Sequence, residues 1–296
     1  MVLAFDVGGS HIAAAQVAGD AVGPRVTLEV DPDGGAEEIL DRWRQAGRAV
    51  LGGAAPLEAA PAGGSPRGVA VAFPRPFDYA AGICRTRHKF AALYGRDLRR
   101  ELAVAWALPT GRVRFLNDAD AFLIGALHGE ALAGEPRAMG ITLGTGLGSA
   151  FWADGAIVEG GPGVPPEGEI YCLPWRGATL EDALSTRAIV RAYTAAGGEA
   201  LPVHLIAARA EAGEGRAGAV WEGFGRELAA GLRPLLAAFR PRTVLLGGNI
   251  SRAAPLFLPA AAEGLAGLEA RLRPVAALDT AALAGAARAC FGLTSE

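Results

Sequence analysis

Val2 to Val7 is an apolar run broken once, by Asp6, and it ends in Gly8-Gly9; Ile12 to Ala18 is a second apolar run of strand length. Two such runs across a glycine-rich turn predict a β-hairpin. Arg25 to Val30 offers a third strand. From Ala36 to Leu51 the apolar positions change to helical spacing, with Ile39, Leu40, Trp43, Ala46 and Val50 on one side. Gly52 to Pro66, rich in Gly, Ala and Pro, reads as an exposed connection, and Gly68 to Phe73 as a buried strand. Phe73 to Gly95 mixes prolines, Gly82 and polar groups in a long loop, the kind of segment that carries binding residues. Val113 to Leu116 predicts a short strand, followed at once by Asn117-Asp118-Ala119-Asp120 and a helix to about Leu132.

The pattern then restarts. Ala138 to Leu143 predicts a strand ending in Gly144-Thr145-Gly146, Leu147 to Trp152 a second and Ala156 to Val158 a third. This repeats the strand, glycine turn, strand order of the N-terminus and points to two lobes of similar construction. The remainder reads as helices over Leu180 to Ala196, Val203 to Ala212, Arg216 to Phe239, Arg252 to Leu265 and Ala281 to Phe291. One strand interrupts them, Thr243 to Leu246, ending in Gly247-Gly248.

At 296 residues the chain exceeds the size at which one core stops growing, so two lobes and a cleft between them are expected. An apolar content of 51% against 20% charged supports an ordered, packed fold. Net charge is −3 with both signs interspersed, which argues against a nucleic-acid face or an anionic membrane as partner. Met1 leads straight into Val2-Leu3-Ala4 with no basic leader, and no apolar run reaches about 18 residues, so a cytoplasmic protein is expected. Cys84, Cys172 and Cys290 form no CxxC pair, which argues against a disulfide framework and against a complete zinc site.

Three places share one design, in which an apolar strand delivers the chain to glycines: Asp6-Val7-Gly8-Gly9-Ser10, Leu143-Gly144-Thr145-Gly146 and Leu246-Gly247-Gly248-Asn249. Glycine lets backbone N–H groups approach phosphate oxygens closely. Asp6 ends an apolar strand, where a carboxylate is costly unless something meets it. Either it caps the Gly8 and Gly9 amides, or it faces a Mg²⁺ ion carrying ATP phosphates, through bound water. No Gly-x4-Gly-Lys-Ser/Thr run and no helix-opening Gly-x-Gly-x-x-Gly is present, which excludes a standard P-loop and a dinucleotide fold. Asp118, between a strand and a helix, is placed to take a proton from a sugar hydroxyl as its oxygen attacks phosphorus. Asn117 presents a donor and an acceptor suited to vicinal hydroxyls. Asp120 reads as a helix cap or first-turn charge.

Together with Gly168-Glu169-Ile170, Leu246-Gly247-Gly248-Asn249-Ile250-Ser251 and the tail Leu278-Asp279-Thr280-Ala281-Ala282-Leu283-Ala284-Gly285, these segments fall in the order and spacing of the ROK family of sugar kinases and repressors, which the chain resembles over essentially its whole length. The resemblance implies an α/β, two-lobed actin-like ATPase fold of the ribonuclease H-like, sugar kinase/hexokinase superfamily. The implied N-terminal lobe is 1–117, completed by the C-terminal helix at about 280–292, and the implied C-terminal lobe is 118–279. ATP would lie between the lobes with the sugar deeper in the cleft. Asp118 would be the general base, with Asn117, Glu169, Glu181 and His88 as sugar-binding residues. Asp6, Gly8, Gly9, Ser10, Gly144, Thr145 and Gly146 would meet the phosphates and Gly247, Gly248 and Asn249 the adenosine side. Asp6 would also serve Mg²⁺. Homodimers are common in the family and stay open here.

Several positions depart from the family pattern. Cys172 stands where a His usually follows Gly-Glu-Ile, and Leu173 to Ala178 lacks the Cys-rich loop of a structural zinc, so no zinc is expected. His11 replaces a frequent Lys and reads as a surface turn residue. Arg75 stands where Gly is usual and His88-Lys89 near an Asn. Lys89 reads as a solvated side chain, the alternative being contact with an anionic sugar. Two other classes of function compete with an ATP-dependent sugar kinase. One is a repressor, for which Asp6 comes too early to leave room for a DNA-reading segment ahead of it. The other is a non-catalytic sugar or nucleotide sensor, against which the retained Asp118 argues.

Overall fold

A computed structural model describes residues 1–52, 66–87 and 89–292. In chain order its elements begin with β1 (Val2–Val7), β2 (His11–Ala18), β3 (Ala21–Val22), β4 (Val26–Glu29), α1 (Ala36–Val50), β5 (Val69–Phe73), β6 (Phe77–Asp78), β7 (Ile83–Cys84), α2 (Leu98–Ala105), β8 (Val113–Asn117) and α3 (Asp118–Gly129). They continue with β9 (Arg137–Leu143), β10 (Leu147–Ala153), β11 (Ala156–Ile157), β12 (Pro174–Trp175), β13 (Ala178–Thr179), α4 (Leu180–Ala183), α5 (Thr186–Ala195), α6 (Val203–Glu211), α7 (Gly215–Phe239), β14 (Thr243–Gly247), α8 (Ala254–Gly264), β15 (Arg271–Pro274) and α9 (Ala281–Phe291). They form two compact units, Met1–Gly129 with Asp279–Glu296, and Glu130–Leu278.

The first unit is built on a sheet in the order β3-β2-β1-β5-β8, with β4 also on β2. β1 and β2 are antiparallel, while β1, β5 and β8 run parallel. Alternation along the strands divides the side chains between the two faces. Leu3, Phe5, Val7, Val69, Val71 and Phe73 pack with Trp43 of α1 and with Leu98 and Leu102 of α2. Val2, Ala4, Ala70 and Ala72 turn the other way, to Ala121 of α3 and Leu283 and Ala286 of α9. Alanines on that face let two helices lie close to the sheet. The helices also touch each other at their backbones: a Cβ placed on Gly125 would fall 2.7 Å from the Ala281 carbonyl carbon, and one on Gly285 would fall 2.8 Å from that of Ala121.

The second unit repeats this topology, with the order β11-β10-β9-β14-β15. Again an antiparallel hairpin, β9 with β10, is followed by parallel neighbours β14 and β15. Its core gathers Phe151, Trp221, Phe224 and Phe257 with Leu143, Val244 and Leu246. Among the described residues no helix is long and apolar enough to cross a membrane.

The structure differs from the sequence reading in several places. α3 packs within the first unit, so the division falls after Gly129 and not after Asn117, because its Gly125 crosses α9 at Gly285. The expected single helix from Leu180 to Ala196 is two, α4 and α5, broken at Leu184 and Ser185. The expected loop from Phe73 to Gly95 contains the β6–β7 hairpin, and α2 and the edge strand β15 were not expected at all. Of the expected connection from Gly52 to Pro66, residues 53–65 lie outside the described residues.

Candidate functional site

In the first unit the parallel strands β1, β5 and β8 deliver Asp6, Phe73 and Asn117 to one end of the sheet, the carboxyl end at which such sheets carry their ligands. Asp6 lies on the alanine face, the same face as Ala4, and so on the side of α3. Its carboxyl is pushed up to about 7 by burial first and by the neighbouring charge of Asp118 second, against the pull of Arg25. Asp118 opens α3, and its carboxyl is likewise raised, by desolvation, against the Ala119 amide and the positive charges of Lys89 and Arg75. Two carboxylates both raised by burial, one of them also by the charge of the other, form a place where a cation is welcome. Among the described residues no group of three or more His, Cys, Asp and Glu side chains could hold a metal by itself. A Mg²⁺ ion at Asp6 would therefore take most of its ligands from phosphate oxygens and water, which suits this ion.

The chain turns away from Asp6 through Gly8, whose N–H donates to the His11 carbonyl at 2.9 Å. A Cβ on Gly8 would touch the His11 imidazole at 3.0 Å, so the turn stays close to that ring. Burial and Arg25 hold His11 below the usual histidine range, which keeps it neutral beneath the turn, whereas the sequence reading made it a surface residue. Over Gly9 lies the aliphatic stem of Lys89. Ser10 is exposed at the tip.

Asn117 is only 7% exposed, and its amide is engaged within the chain. Its Oδ1 accepts from the Ala119 and Asp120 amides at 3.0 and 3.2 Å, and its Nδ2 donates to Asp118 Oδ1 at 3.1 Å and to the Tyr79 hydroxyl at 3.4 Å. Asn117 is thus the cap of α3, and of the two readings of Asp120, cap or first-turn charge, the second holds. Asp120 instead receives Arg75 at 3.4 Å, with both side chains largely buried. Tyr79, which sequence reasoning passed over, donates to the Phe73 carbonyl at 2.9 Å and holds Asn117 in place; burial keeps its hydroxyl above the usual tyrosine range. Its only signal was its place in the polar loop after β5. His88, the remaining expected sugar contact of this unit, lies outside the described residues.

In the second unit the turn from β9 to β10 is Gly144-Thr145-Gly146. The Gly144 carbonyl accepts from both the N–H and the Oγ1 of Thr186, at 2.8 and 2.9 Å. The break between α4 and α5 lets Thr186 make this contact. Glu181, expected as a sugar ligand, accepts from the Leu147 N–H at 3.0 Å with Oε2 and meets Arg187 at 3.2 Å with Oε1. A Cβ on Gly146 would fall 2.7 Å from Glu181 Oε2, so glycine is required there for this carboxylate to seat. No Cβ contact within 4 Å exists at Gly144, whose face of the turn is open. Gly247 ends β14, and Gly248 adopts φ +77° with its α-carbon against the Leu143 backbone, so that any side chain would collide. Asn249 follows and accepts from Arg252 Nε at 3.5 Å.

Glu169 is fixed by a residue the sequence reading missed. Ser149 Oγ, buried in β10, donates to the Gly168 carbonyl at 2.5 Å and accepts from the Ile170 N–H at 3.1 Å, so it grips both flanks of Glu169. Cys172 is exposed three residues on. The segment beyond it closes as the β12–β13 hairpin, fastened to α7 by Trp175 Nε1 donating to Glu227 at 2.9 Å and by Arg176 pairing with the same carboxylate at 3.1 Å.

The model of the ROK family matches residues 58–289. An N-acetyl-D-glucosamine kinase of Pectobacterium carotovorum is 28% identical over 207 residues, 63% of this chain and 65% of the relative, so the chain spans just under two thirds of that relative's length. A glucokinase of Thermotoga maritima is 28% identical over 278 residues, 85% of this chain and 83% of the relative. Among solved structures, a ROK hexokinase from Thermus thermophilus superposes with a TM-score of 0.72 at 26% identity, covering 97% of this chain and 96% of that one. A ROK family glucokinase from Streptomyces griseus, in complex with glucose and AMPPNP, gives 0.80 at 22% identity, covering 97% and 98%. The fold is that of the actin-like ATPases.

Proposed function

The chain belongs to the ROK family, and from that premise we propose that it is an ATP-dependent kinase that phosphorylates a hydroxyl of a hexose or a related sugar. The observation that carries this reading is the meeting of Asp6 and Asp118 at the carboxyl end of one sheet, beside the Gly8-Gly9 turn. Asp118 takes the hydroxyl proton as the sugar oxygen attacks the terminal phosphorus. Its raised proton affinity makes it a stronger base than an ordinary carboxylate. Asn117 orients it through the 3.1 Å hydrogen bond to Oδ1 and fixes the start of α3. Gly8, Gly9 and Ser10 in the first unit, and Gly144, Thr145 and Gly146 in the second, offer backbone N–H groups to the phosphates. Mg²⁺, delivered with ATP and served by Asp6, supplies charge neutralisation on the phosphate oxygens. Glu169 is the sugar ligand of the second unit, and Glu181 positions the phosphate-binding turn. Gly247, Gly248 and Asn249 border the adenosine. The relatives' substrates, N-acetylglucosamine and glucose, are the first sugars to test.

A coupled ADP-release screen with Mg-ATP against hexoses, amino sugars and N-acetylated sugars tests the reading. Turnover on at least one sugar is expected, with Asp118→Asn lowering kcat by about 10²–10⁴-fold while Mg-AMPPNP binding persists. No turnover on any sugar, or an unaffected Asp118→Asn variant, would refute the kinase reading or the base assignment respectively.

A further inference from the structure

Lys89 was read from sequence as a solvated side chain, and the structure places it elsewhere. The residue after it, Phe90, is fully buried, packs its ring at a tilt 5.9 Å from that of Phe73 and donates its N–H to the Pro32 carbonyl at 2.8 Å. Phe90 also sits in the left-handed region, at φ 53°, so the chain bends sharply at this anchor. Lys89 is thereby held at one place and its stem is laid across the Gly8-Gly9 turn: a Cβ on Gly9 would lie 3.5 Å from both Cδ and Nζ and 3.6 Å from Cε. The ammonium thus rests above the turn that faces the phosphates. The positive charges of Lys89 and Arg75 both reach Asp118 and lower its proton affinity.

The other cations of this end of the unit are committed. Arg75 pairs with Asp120 at 3.4 Å, and Arg25 pairs with Asp279 at 3.3 Å. Both are planar guanidinium groups held by carboxylates, whereas a lysine is a compact charge on a flexible stem, suited to following a group that moves. Position decides what it serves. A cation near both the phosphate turn and the base sits where the transferred group passes from one to the other.

We propose that Lys89 is a catalytic residue whose ammonium holds the terminal phosphoryl group of the nucleotide over Gly9 and neutralises its oxygens during transfer. The proposal rests on the kinase reading above. In the step, the sugar O–H bond breaks and its proton goes to Asp118; the sugar oxygen forms a bond to the terminal phosphorus. The bond from that phosphorus to the bridging oxygen breaks, and its electron pair leaves with ADP. Lys89 stays protonated throughout and forms no covalent bond. Its contribution is electrostatic and largest when charge spreads over the three oxygens of the phosphoryl group.

The test compares the wild-type chain with Lys89→Met, which keeps the stem and removes the charge, and Lys89→Arg, which keeps the charge. Binding of Mg-AMPPNP and Mg-ADP is measured by calorimetry, and kcat and KM are measured with the best sugar of the panel. Lys89→Met is expected to weaken Mg-AMPPNP about tenfold, to leave Mg-ADP within about twofold, and to lower kcat by about 10²–10³-fold, the loss seen when one preorganised donor is removed. Lys89→Arg should recover part of both losses. Equal weakening of both nucleotides, or a Lys89→Met variant that matches the wild type in binding and kcat, would overturn the proposal. If the wild type binds nucleotide yet phosphorylates no sugar, the kinase reading falls while the AMPPNP-to-ADP ratio still decides where Lys89 acts. Unchanged thermal melting of Lys89→Met would exclude misfolding as the cause of any loss.

Discussion

Gly285→Ala tests whether α3, the helix that begins with Asp118, is held by backbone contact with α9. A methyl group at position 285 would sit 2.6 Å from the Gly125 nitrogen and 2.8 Å from the Ala121 carbonyl carbon, with the Ala121 carbonyl oxygen closer still. These are backbone atoms of an opposing helix and cannot rotate aside, so the helices must separate by about 1 Å to restore an ordinary contact distance. Overpacking of this kind costs about 1–3 kcal/mol, and contact with backbone places it at the upper end. Alanine's better helix propensity returns about 1 kcal/mol, which leaves a net loss of about 2 kcal/mol. For a unit of this size that lowers the melting temperature by about 4–8 °C. Gly218→Ala in α7 is the control, because a Cβ there meets nothing within 4 Å and the substitution should stabilise by about 0.5–1 kcal/mol. Urea unfolding followed by circular dichroism measures both. If Gly285→Ala unfolds at the same urea concentration as the parent, or later, the close packing of α3 on α9 is refuted. The same variant should lower kcat, because movement of α3 carries Asp118 with it.

Three further outcomes follow from the site. On the proposed mechanism the acid limb of the kcat/KM profile should lie above the usual carboxylate range, since a base at Asp118 would have to be ionised and its proton affinity is raised; a limb near pH 4 would remove Asp118 as the titrating base. Asp6 keeps its proton to about pH 7 in the folded chain against 3.8 for an ordinary aspartate. The stability it contributes is therefore whole below about pH 4 and is lost as pH rises through 7, a span of about three units worth ~4 kcal/mol. Asp6→Asn should accordingly stabilise the nucleotide-free protein at pH 8 but not at pH 4 in thermal melts, while impairing Mg-ATP turnover; equal melting at both pH values would show that Asp6 is not strained. Ser149→Ala leaves the Gly168 carbonyl and the Ile170 N–H without their buried partner, so it should cost about 1–3 kcal/mol and raise the sugar KM more than it changes kcat; an unchanged KM would mean that Glu169 does not depend on Ser149.

The sheets and the glycine turns were legible in the sequence because they rest on short-range signals. β1, β5, β9 and β14 are predominantly apolar runs, and each of β1, β9 and β14 meets glycine at its end. The resemblance supplied the order of the motifs along the whole chain. Less legible were features fixed by contacts distant in sequence. Local sequence leaves Asp120 as either a cap or a first-turn charge of α3; that it is the second, with Asn117 as the cap and Tyr79 behind it, follows from the path of the loop after β5. Lys89 reads as solvated in any window of sequence, since only the burial of Phe90 decides where it lies. β15 was missed because Arg271-Leu272-Arg273-Pro274 is an exposed edge with one apolar residue, and its pairing comes wholly from β14. α2 is a different case: Asp97 caps it by accepting from the Arg100 N–H, and Leu98 and Leu102 fall one turn apart, so its signals were local and were passed over.

The crossing at Gly125 and Gly285 also has a bearing on synthesis. Ribosomes release α3 well before α9, so during elongation the helix bearing Asp118 lacks the surface that seats it against the first sheet. Asp118, the carboxylate proposed above as the base, gains the packing of α9 behind its helix only when nearly all of the polypeptide has emerged. A nascent or prematurely terminated chain can form the second unit, with its own sheet and core, while the helix that begins with Asp118 still lacks its partner in the first.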